Sequence, residues 1–333
     1  MRSVDYLLPA DLGEALEAIA TLPAAKFLGG GTNLVDLMRE GIERPDILID
    51  ISRLPLADID RTDDGGLRIG AGVRNSDLAA HPAIREQYPV LAQAILMGAS
   101  GQIRNMATVG GNLLQRTRCL YFYDETAGCN KRQLGSGCAA ADGFNRMGAV
   151  LGASASCVAV HPSDMAVALT LLDAEVEVAS RTGSRRIPMS TFHRLPGDTP
   201  HIETDLAADE LIVAVHLPPL EIAARSRYRK VRDRASYAFA LVSVAAALQL
   251  DETGEQVTQV RVALGGIAHK PWRATLVEKH LTGRPATDDE FAAAAKAEFV
   301  KAAGGPTNDF KVDLAVRTVV AVLRTLRDSG GAG

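Results

Sequence analysis

Phe27-Leu28-Gly29-Gly30-Gly31-Thr32-Asn33-Leu34 runs a short apolar segment into three consecutive glycines, a hydroxyl and an amide. Ala25–Leu28 has strand character, and Leu34–Arg39, stopped at Gly41, has helical spacing. The glycines therefore form a strand-to-helix turn. Without Cβ atoms, such a turn lets backbone N–H groups approach phosphate oxygens, and Thr32 or Asn33 adds hydrogen bonds. The spaced glycines of the dinucleotide fingerprint are missing, and no glycine-lysine-serine or glycine-lysine-threonine ending marks a phosphate loop for ATP. Taken alone, the stretch favours a plain tight turn needing positive φ over a nucleotide cradle.

Outward from it, Asp11 and Glu14 form a capping box for a helix whose apolar face is Leu12, Ala15, Leu16 and Ile19, closed at Pro23. A second glycine-rich stretch follows far downstream, Ile103-Arg104-Asn105-Met106-Ala107-Thr108-Val109-Gly110-Gly111-Asn112-Leu113. Two such loops can hold one pyrophosphate between them. Cys157–Val160 then reads as a short apolar strand, and His161-Pro162-Ser163-Asp164 opens a helix through Leu172. Asp164 is its expected cap, and a carboxylate there also binds ribose hydroxyls.

All four cysteines, Cys119, Cys129, Cys138 and Cys157, lie between these two motifs, among Arg116, Arg118, Lys131, Arg132 and Arg146. Cations so placed offset the negative charge of thiolates around a metal. Gaps of nine, eight and eighteen residues fit tetrahedral zinc less well than an iron–sulfur cluster, since zinc draws ligands from tight pairs. Two disulfides or four free buried thiols satisfy the same count. Tyr121, Phe122, Tyr123 and Phe144 would wall a cluster from water, or simply pack the segment.

The 333 residues are 47% hydrophobic and 23% charged, enough for two or three domains with substantial cores. No apolar run reaches membrane-spanning length, and a formal charge of −4 argues against nucleic acid. The seven histidines are scattered, His161 before Pro162 reads as structural, and no serine sits in a nucleophile elbow. Asp209-Glu210-Leu211-Ile212-Val213 reads as a strand with alternating burial, and Pro218-Pro219 ends it, which puts a boundary near residue 222. Asp63-Asp64-Gly65-Gly66 is a turn. Beyond the boundary, apolar text at Tyr237–Leu250, a strand at Val257–Leu264 and helices at Phe291–Ala303 and Lys311–Leu326 describe a separate α+β unit. The tail Ser329–Gly333 is expected to be mobile.

The order Phe27 to Leu34, then Ala107-Thr108-Val109-Gly110-Gly111-Asn112, then Ser163-Asp164, resembles the FAD-binding medium subunits of the molybdenum hydroxylases, the xanthine dehydrogenase family. The likeness spans nearly the whole chain. It implies an α+β chain with a two-lobed FAD-binding domain of the PCMH type over residues 1–222, in lobes of about 1–60 and 61–222. A carbon monoxide dehydrogenase flavoprotein C-terminal-like domain follows over 223–333. The cysteine-bearing insertion, residues 113–160, resembles that of the bacterial periplasmic aldehyde oxidoreductase flavoprotein, in which a 4Fe-4S cluster is held; Cys119, Cys129, Cys138 and Cys157 would be its ligands. Residues Lys26, Phe27, Leu28, Gly29, Gly30, Gly31, Thr32, Asn33 and Leu34, with Thr108, Gly110, Gly111 and Asn112, would wrap the FAD pyrophosphate. Asp164 would hold the adenosine or ribityl part. Val213 would touch the flavin through its backbone, and Lys230 would lie beside the isoalloxazine ring and raise its potential.

The same resemblance implies a heterotrimer. A large molybdenum cofactor-binding subunit would oxidise an aldehyde, a small 2Fe-2S subunit would pass the electrons on, and this chain would deliver them to a terminal acceptor. Three alternatives stand beside it: a 4-hydroxybenzoyl-CoA reductase-like flavoprotein, a stand-alone FAD reductase, and a non-enzymatic metal-binding scaffold. Met1-Arg2-Ser3-Val4-Asp5 has no basic and apolar export signal, so the expected location is the cytoplasm, or the periplasm by co-export with a signal-bearing partner.

Overall fold

The computed structural model describes residues 3–329. Of the tail expected to be mobile, Ser329 ends the last helix and the remainder lies outside the described residues, as do Met1 and Arg2.

Three sheets organise the chain. The first is parallel, in the order β1-β3-β2, from β1 (Asp5–Leu7), β2 (Ala25–Leu28) and β3 (Ile47–Asp50). The helix Leu12–Thr21 bridges β1 to β2. Asp11 caps it by accepting from the Glu14 N–H at 2.9 Å, and the Glu14 carboxylate reaches back to the Ala10 N–H at 2.7 Å, one residue before the usual partner of a capping box. Ala15 and Leu16 face inward toward Ile49.

The second sheet is antiparallel, in the order β4-β5-β8-β6-β7, from β4 (Ile59–Arg61), β5 (Leu67–Gly70), β6 (Glu175–Ser180), β7 (Gly183–Pro188) and β8 (Leu211–Leu217). Strand β8 is buried at all seven residues, not alternately as its sequence suggested. Its central place in the sheet is the cause. Ile212, Val215 and Leu217 enter the main core, while Leu211 and Val213 enter the core under the first sheet.

The third sheet is an antiparallel meander, β12-β11-β10-β9, from β9 (Ser226–Val231), β10 (Val242–Leu250), β11 (Val257–Gly265) and β12 (Trp272–Arg273). Side chains alternate along β10. Val242, Val244, Ala246 and Leu248 pack with the helices Thr275–Leu281, Asp288–Glu298 and Phe310–Ser329, while Ala245 and Ala247 face the main core with Tyr228.

Between the sheets runs the helix Asp164–Leu171, with every residue buried; a helix apolar all round belongs in an interior. Its cap is Ser163, whose hydroxyl accepts from the Ala166 N–H at 3.0 Å, and not Asp164, which is the first helical residue. Nor is Cys157–Val160 a strand. Only an isolated bridge, Ser154 to Cys157, forms there, because the segment hands its hydrogen bonds to neighbouring loops: Ala149 donates to the Val158 carbonyl, and His161 to that of Ala268. Among the described residues no helix is long and apolar enough to cross a membrane.

Candidate functional site

The two glycine loops meet. A Cβ built on Gly30 would overlap the Met106 backbone carbonyl, and one on Gly29 would come within 3.1 Å of Thr108 Oγ1. Gly31 has φ +73°, a left-handed conformation that disfavours side chains. Thr108 caps the following short helix, its hydroxyl accepting from the Gly111 N–H at 3.2 Å, and the Gly110 N–H donates to the Ala71 carbonyl at 2.9 Å. The result is a backbone-lined cradle. It opens into a cleft of about 1480 Å³, above the about 300–1,000 Å³ of sites for drug-sized ligands.

Asn33 lines this cleft with its Oδ1 taking the Arg116 N–H at 2.9 Å and its Nδ2 buried without a partner. An unsatisfied buried donor beside glycines that admit no side chain fits a phosphate-bearing cofactor. Asn112 joins the cradle to the buried helix: its Oδ1 accepts from Ser163 Oγ at 2.6 Å and from Gln115 Nε2 at 2.9 Å.

Asp164 and Lys230 both line the cleft and form one unit. Lys230 Nζ lies 2.7 Å from Asp164 Oδ2, with side chains 2% and 8% exposed. Tyr228 Oη donates to Asp164 Oδ1 at 2.6 Å, and burial, reinforced by the Asp164 charge, drives its phenol well above the usual value. The sequence had given no sign of Tyr228; its strand position, two residues before Lys230 on the same face of β9, is the signal that could have found it.

Of the residues expected to hold FAD, Lys26, Phe27, Gly29, Gly30, Gly31, Thr32, Asn33, Leu34, Thr108, Gly110, Gly111, Asn112, Asp164 and Lys230 line the cleft. Leu28 and Val213 do not. Val213 sits in the core, its carbonyl accepting from the Ala71 N–H at 2.9 Å, while its neighbours Leu211 and Ile212 reach the cleft wall.

The four cysteines are unpaired and line one small cavity of about 10 Å³, with Cys119 facing both it and the cleft. Cys129 and Cys138 are bridged through their backbones. Among the described residues no group of three or more His, Cys, Asp or Glu side chains closes on a single metal-ion position. Burial raises the Cys119 thiol and pushes Cys157 up to about 11, with Lys131 pulling the latter down. Of the aromatic wall, Tyr121 and Phe122 line the thiol cavity and Tyr123 packs edge-on against Phe122, whereas Phe144 is exposed.

Three histidines that look scattered in sequence gather beside this segment. The His161 and His193 rings lie tilted at 48° with centroids 4.1 Å apart, and His269 acts electrostatically on His161 as His193 does on His269. Burial holds His193 and His269 at about 4 and His161 well below its usual value.

Residues 2–220 match the family model described as the FAD binding domain in molybdopterin dehydrogenase, and residues 226–326 match the CO dehydrogenase flavoprotein C-terminal domain. Over 329 residues, 98% of this chain and 99% of the relative, the sequence is 55% identical to the aldehyde oxidoreductase FAD-binding subunit PaoB of Escherichia coli (strain K12). The glyceraldehyde dehydrogenase medium chain of Sulfolobus acidocaldarius is 28% identical over 85% of this chain and 83% of its own. In fold the chain is similar to quinoline 2-oxidoreductase from Pseudomonas putida 86, with a TM-score of 0.76, 22% identity and 98% of both chains covered. By its matching domains and its near full-length relative, the chain belongs to the FAD-binding medium subunits of the molybdenum hydroxylases, a family of oxidoreductases.

Proposed function

We propose that this chain is the FAD- and 4Fe-4S-bearing electron-transfer subunit of a heterotrimeric, molybdenum-dependent aldehyde oxidoreductase. One observation carries the reading: four unpaired cysteines from an insertion share one cavity, and Cys119 borders both that cavity and the cleft that contains the glycine cradle. Near full-length identity of 55% to an aldehyde oxidoreductase FAD-binding subunit supports the substrate class.

The cradle of Gly29–Gly31 and Thr108–Asn112 would hold the pyrophosphate through backbone donors, with Asn33 Nδ2 supplying one more. Because Asp164 and Lys230 are one ion pair, they would serve the same end of the cofactor, Asp164 toward the ribityl chain and Lys230 toward the ring. When bound, FAD supplies an electron-accepting ring between the 2Fe-2S clusters of a small partner subunit and a terminal acceptor. Lys230 would place its ammonium where reduction adds negative charge, and Asp164 and Tyr228 would fix that ammonium in position. The donor set of four thiols around an apolar Phe122 fits iron and sulfide by its chemistry.

The test is the composition of the complex purified with its partners. Flavin, iron and acid-labile sulfide should all be found, and Cys138→Ser should lose iron while keeping flavin. Absence of flavin sinks the reading, and zinc in place of iron sinks the cluster. Turnover in Cys138→Ser then separates a cluster on the electron path from one that only staples the insertion.

A further inference from the structure

A row of alternating charges ties the flavin cradle to the cysteine cavity. Lys26, on β2, pairs with Glu43. Arg116 Nη1 reaches the other oxygen of Glu43 at 2.5 Å, and Arg116 Nε lies 3.2 Å from Glu203 Oε1. Lys131 Nζ completes the row, 2.6 Å from the same Glu203 oxygen and 3.1 Å from the Pro200 carbonyl. Its two ends differ in side-chain exposure, 45% at Lys26 and 2% at Lys131.

The buried end matters most. Lys131 lies two residues after Cys129 and lines the same small cavity as all four cysteines. Two acceptors hold its dehydrated ammonium in a fixed direction, and the residue that carries it forms part of the wall of the thiol cavity. On Glu203 burial is the largest influence and opposes ionisation, but Lys131, and then Arg116, together hold the carboxyl below its usual value. A cross-link between the insertion and residues 200–203 would not need a charge at this spot. An apolar side chain of similar length would fill it at no desolvation cost.

Reduction of an iron–sulfur cluster adds one electron, and hence one negative charge, and its potential follows net charge, hydrogen bonds to sulfur and exposure. Resting on the reading that the four cysteines carry such a cluster, we propose that Lys131 is a positioning residue that raises the cluster's reduction potential, with Glu203 as the counter-charge that limits the effect. Removing the cation lowers the potential, and removing the carboxylate raises it. A residue that only cross-links the loop has no such pair of opposite signs.

The experiment is a dithionite redox titration of the purified complex followed by electron paramagnetic resonance, with iron measured per chain. The variants are Lys131→Gln, Lys131→Arg and Glu203→Gln. A downward shift of the cluster midpoint in Lys131→Gln, an upward shift in Glu203→Gln and a near-native value in Lys131→Arg are expected, all with native iron content. Unshifted midpoints, or shifts of the same sign in Lys131→Gln and Glu203→Gln, overturn the proposal. If Lys131→Gln loses iron, Glu203→Gln decides alone: an upward shift upholds the proposal, and anything else overturns it. Loss of iron from both makes Lys131 a clamp and overturns it too. A wild-type complex without iron fails at the earlier step, the cluster itself, and takes the proposal with it.

Discussion

Replacing Lys230 with methionine removes half of a buried ion pair and strands the other half. Lys230 Nζ and Asp164 Oδ2 are 2.7 Å apart, with side chains 2% and 8% exposed. Pairs at the surface contribute about 0–1 kcal/mol because water screens them. Here water is excluded, and leaving one charge buried without its partner costs about 3–5 kcal/mol. Tyr228 continues to donate to Asp164 Oδ1 at 2.6 Å, which puts the expected loss at the lower end of that range. About 3 kcal/mol is a fall of roughly two powers of ten in the folding equilibrium constant. Adding Asp164→Asn removes the stranded charge, so the double variant should lose less than the sum of the single losses, by about 1–3 kcal/mol. Equilibrium urea unfolding of the isolated chain measures all three variants through its single tryptophan, Trp272, which lies in the same sheet as Lys230. Additive losses, or a Lys230→Met midpoint equal to wild type at an unchanged slope, would refute the claim that the two residues act as a buried unit.

Gly30→Ala should lower flavin affinity by on the order of tenfold or more, about 1.4 kcal/mol or above, because its Cβ meets the Met106 carbonyl and must push the two loops apart. Gly101→Ala, with nothing within 4 Å of its Cβ, is the matched control; equal flavin titrations for both variants would remove the cradle argument. Acid should destabilise the fold through its buried histidines. His193 and His269 sit at about 4 and His161 well below its usual value, whereas the unfolded chain binds these protons near the ordinary value of about 6.5. The stability carried by the neutral rings is therefore complete above that value and drains away as pH falls toward 4, with two to three protons taken up on unfolding at about pH 5 to 6. Urea midpoints measured across this window should slope accordingly, His193→Gln should flatten the slope by about one proton, and a flat profile in wild type would exclude the mechanism.

What could be read from the sequence was whatever a short window encodes. The capped helix Leu12–Thr21, the strand-turn-helix around Gly29–Gly31, the long strands β10 and β11 and the last helix all carry their periodicity within themselves. Where neighbours decide, the reading failed. Strand β8 is buried on both faces because sheets and cores lie on either side of it, and Ser163 displaces Asp164 as cap because the Asp164 carboxylate is claimed by Tyr228 and Lys230. The site follows the same rule. Both glycine loops and the cysteines are visible as motifs, but their partners are remote: Tyr228 is 64 residues from Asp164, Glu203 is 72 from Lys131, and Asp233 is 87 from Arg146. No periodicity links such pairs.

That remoteness also says how the cysteine insertion is held. Around the thiols the apolar nucleus is small: Phe122 and Cys129 pack with Leu37 of the first lobe, flanked by Ile42, Cys119 and Tyr123, which is little to order a segment of this length. Polar clamps make up part of the difference, and each grips a different part of the fold. Arg116 and Lys131 converge on Glu203, and Arg146 forms a bidentate pair with Asp233 at 2.8 and 2.9 Å, in the loop that follows Lys230. At the far end the buried Lys311 ammonium, lowered to about 7 by burial, donates to the carbonyls of Met147, Gly148 and Gly266, and so straps the insertion to the C-terminal unit. An insertion clamped at these points cannot shift without moving residues that line the flavin cleft. Loosening it, by removing Lys311, should therefore register at the flavin, through Asn145, Arg146 and Met147, which belong to the insertion and also line the cleft.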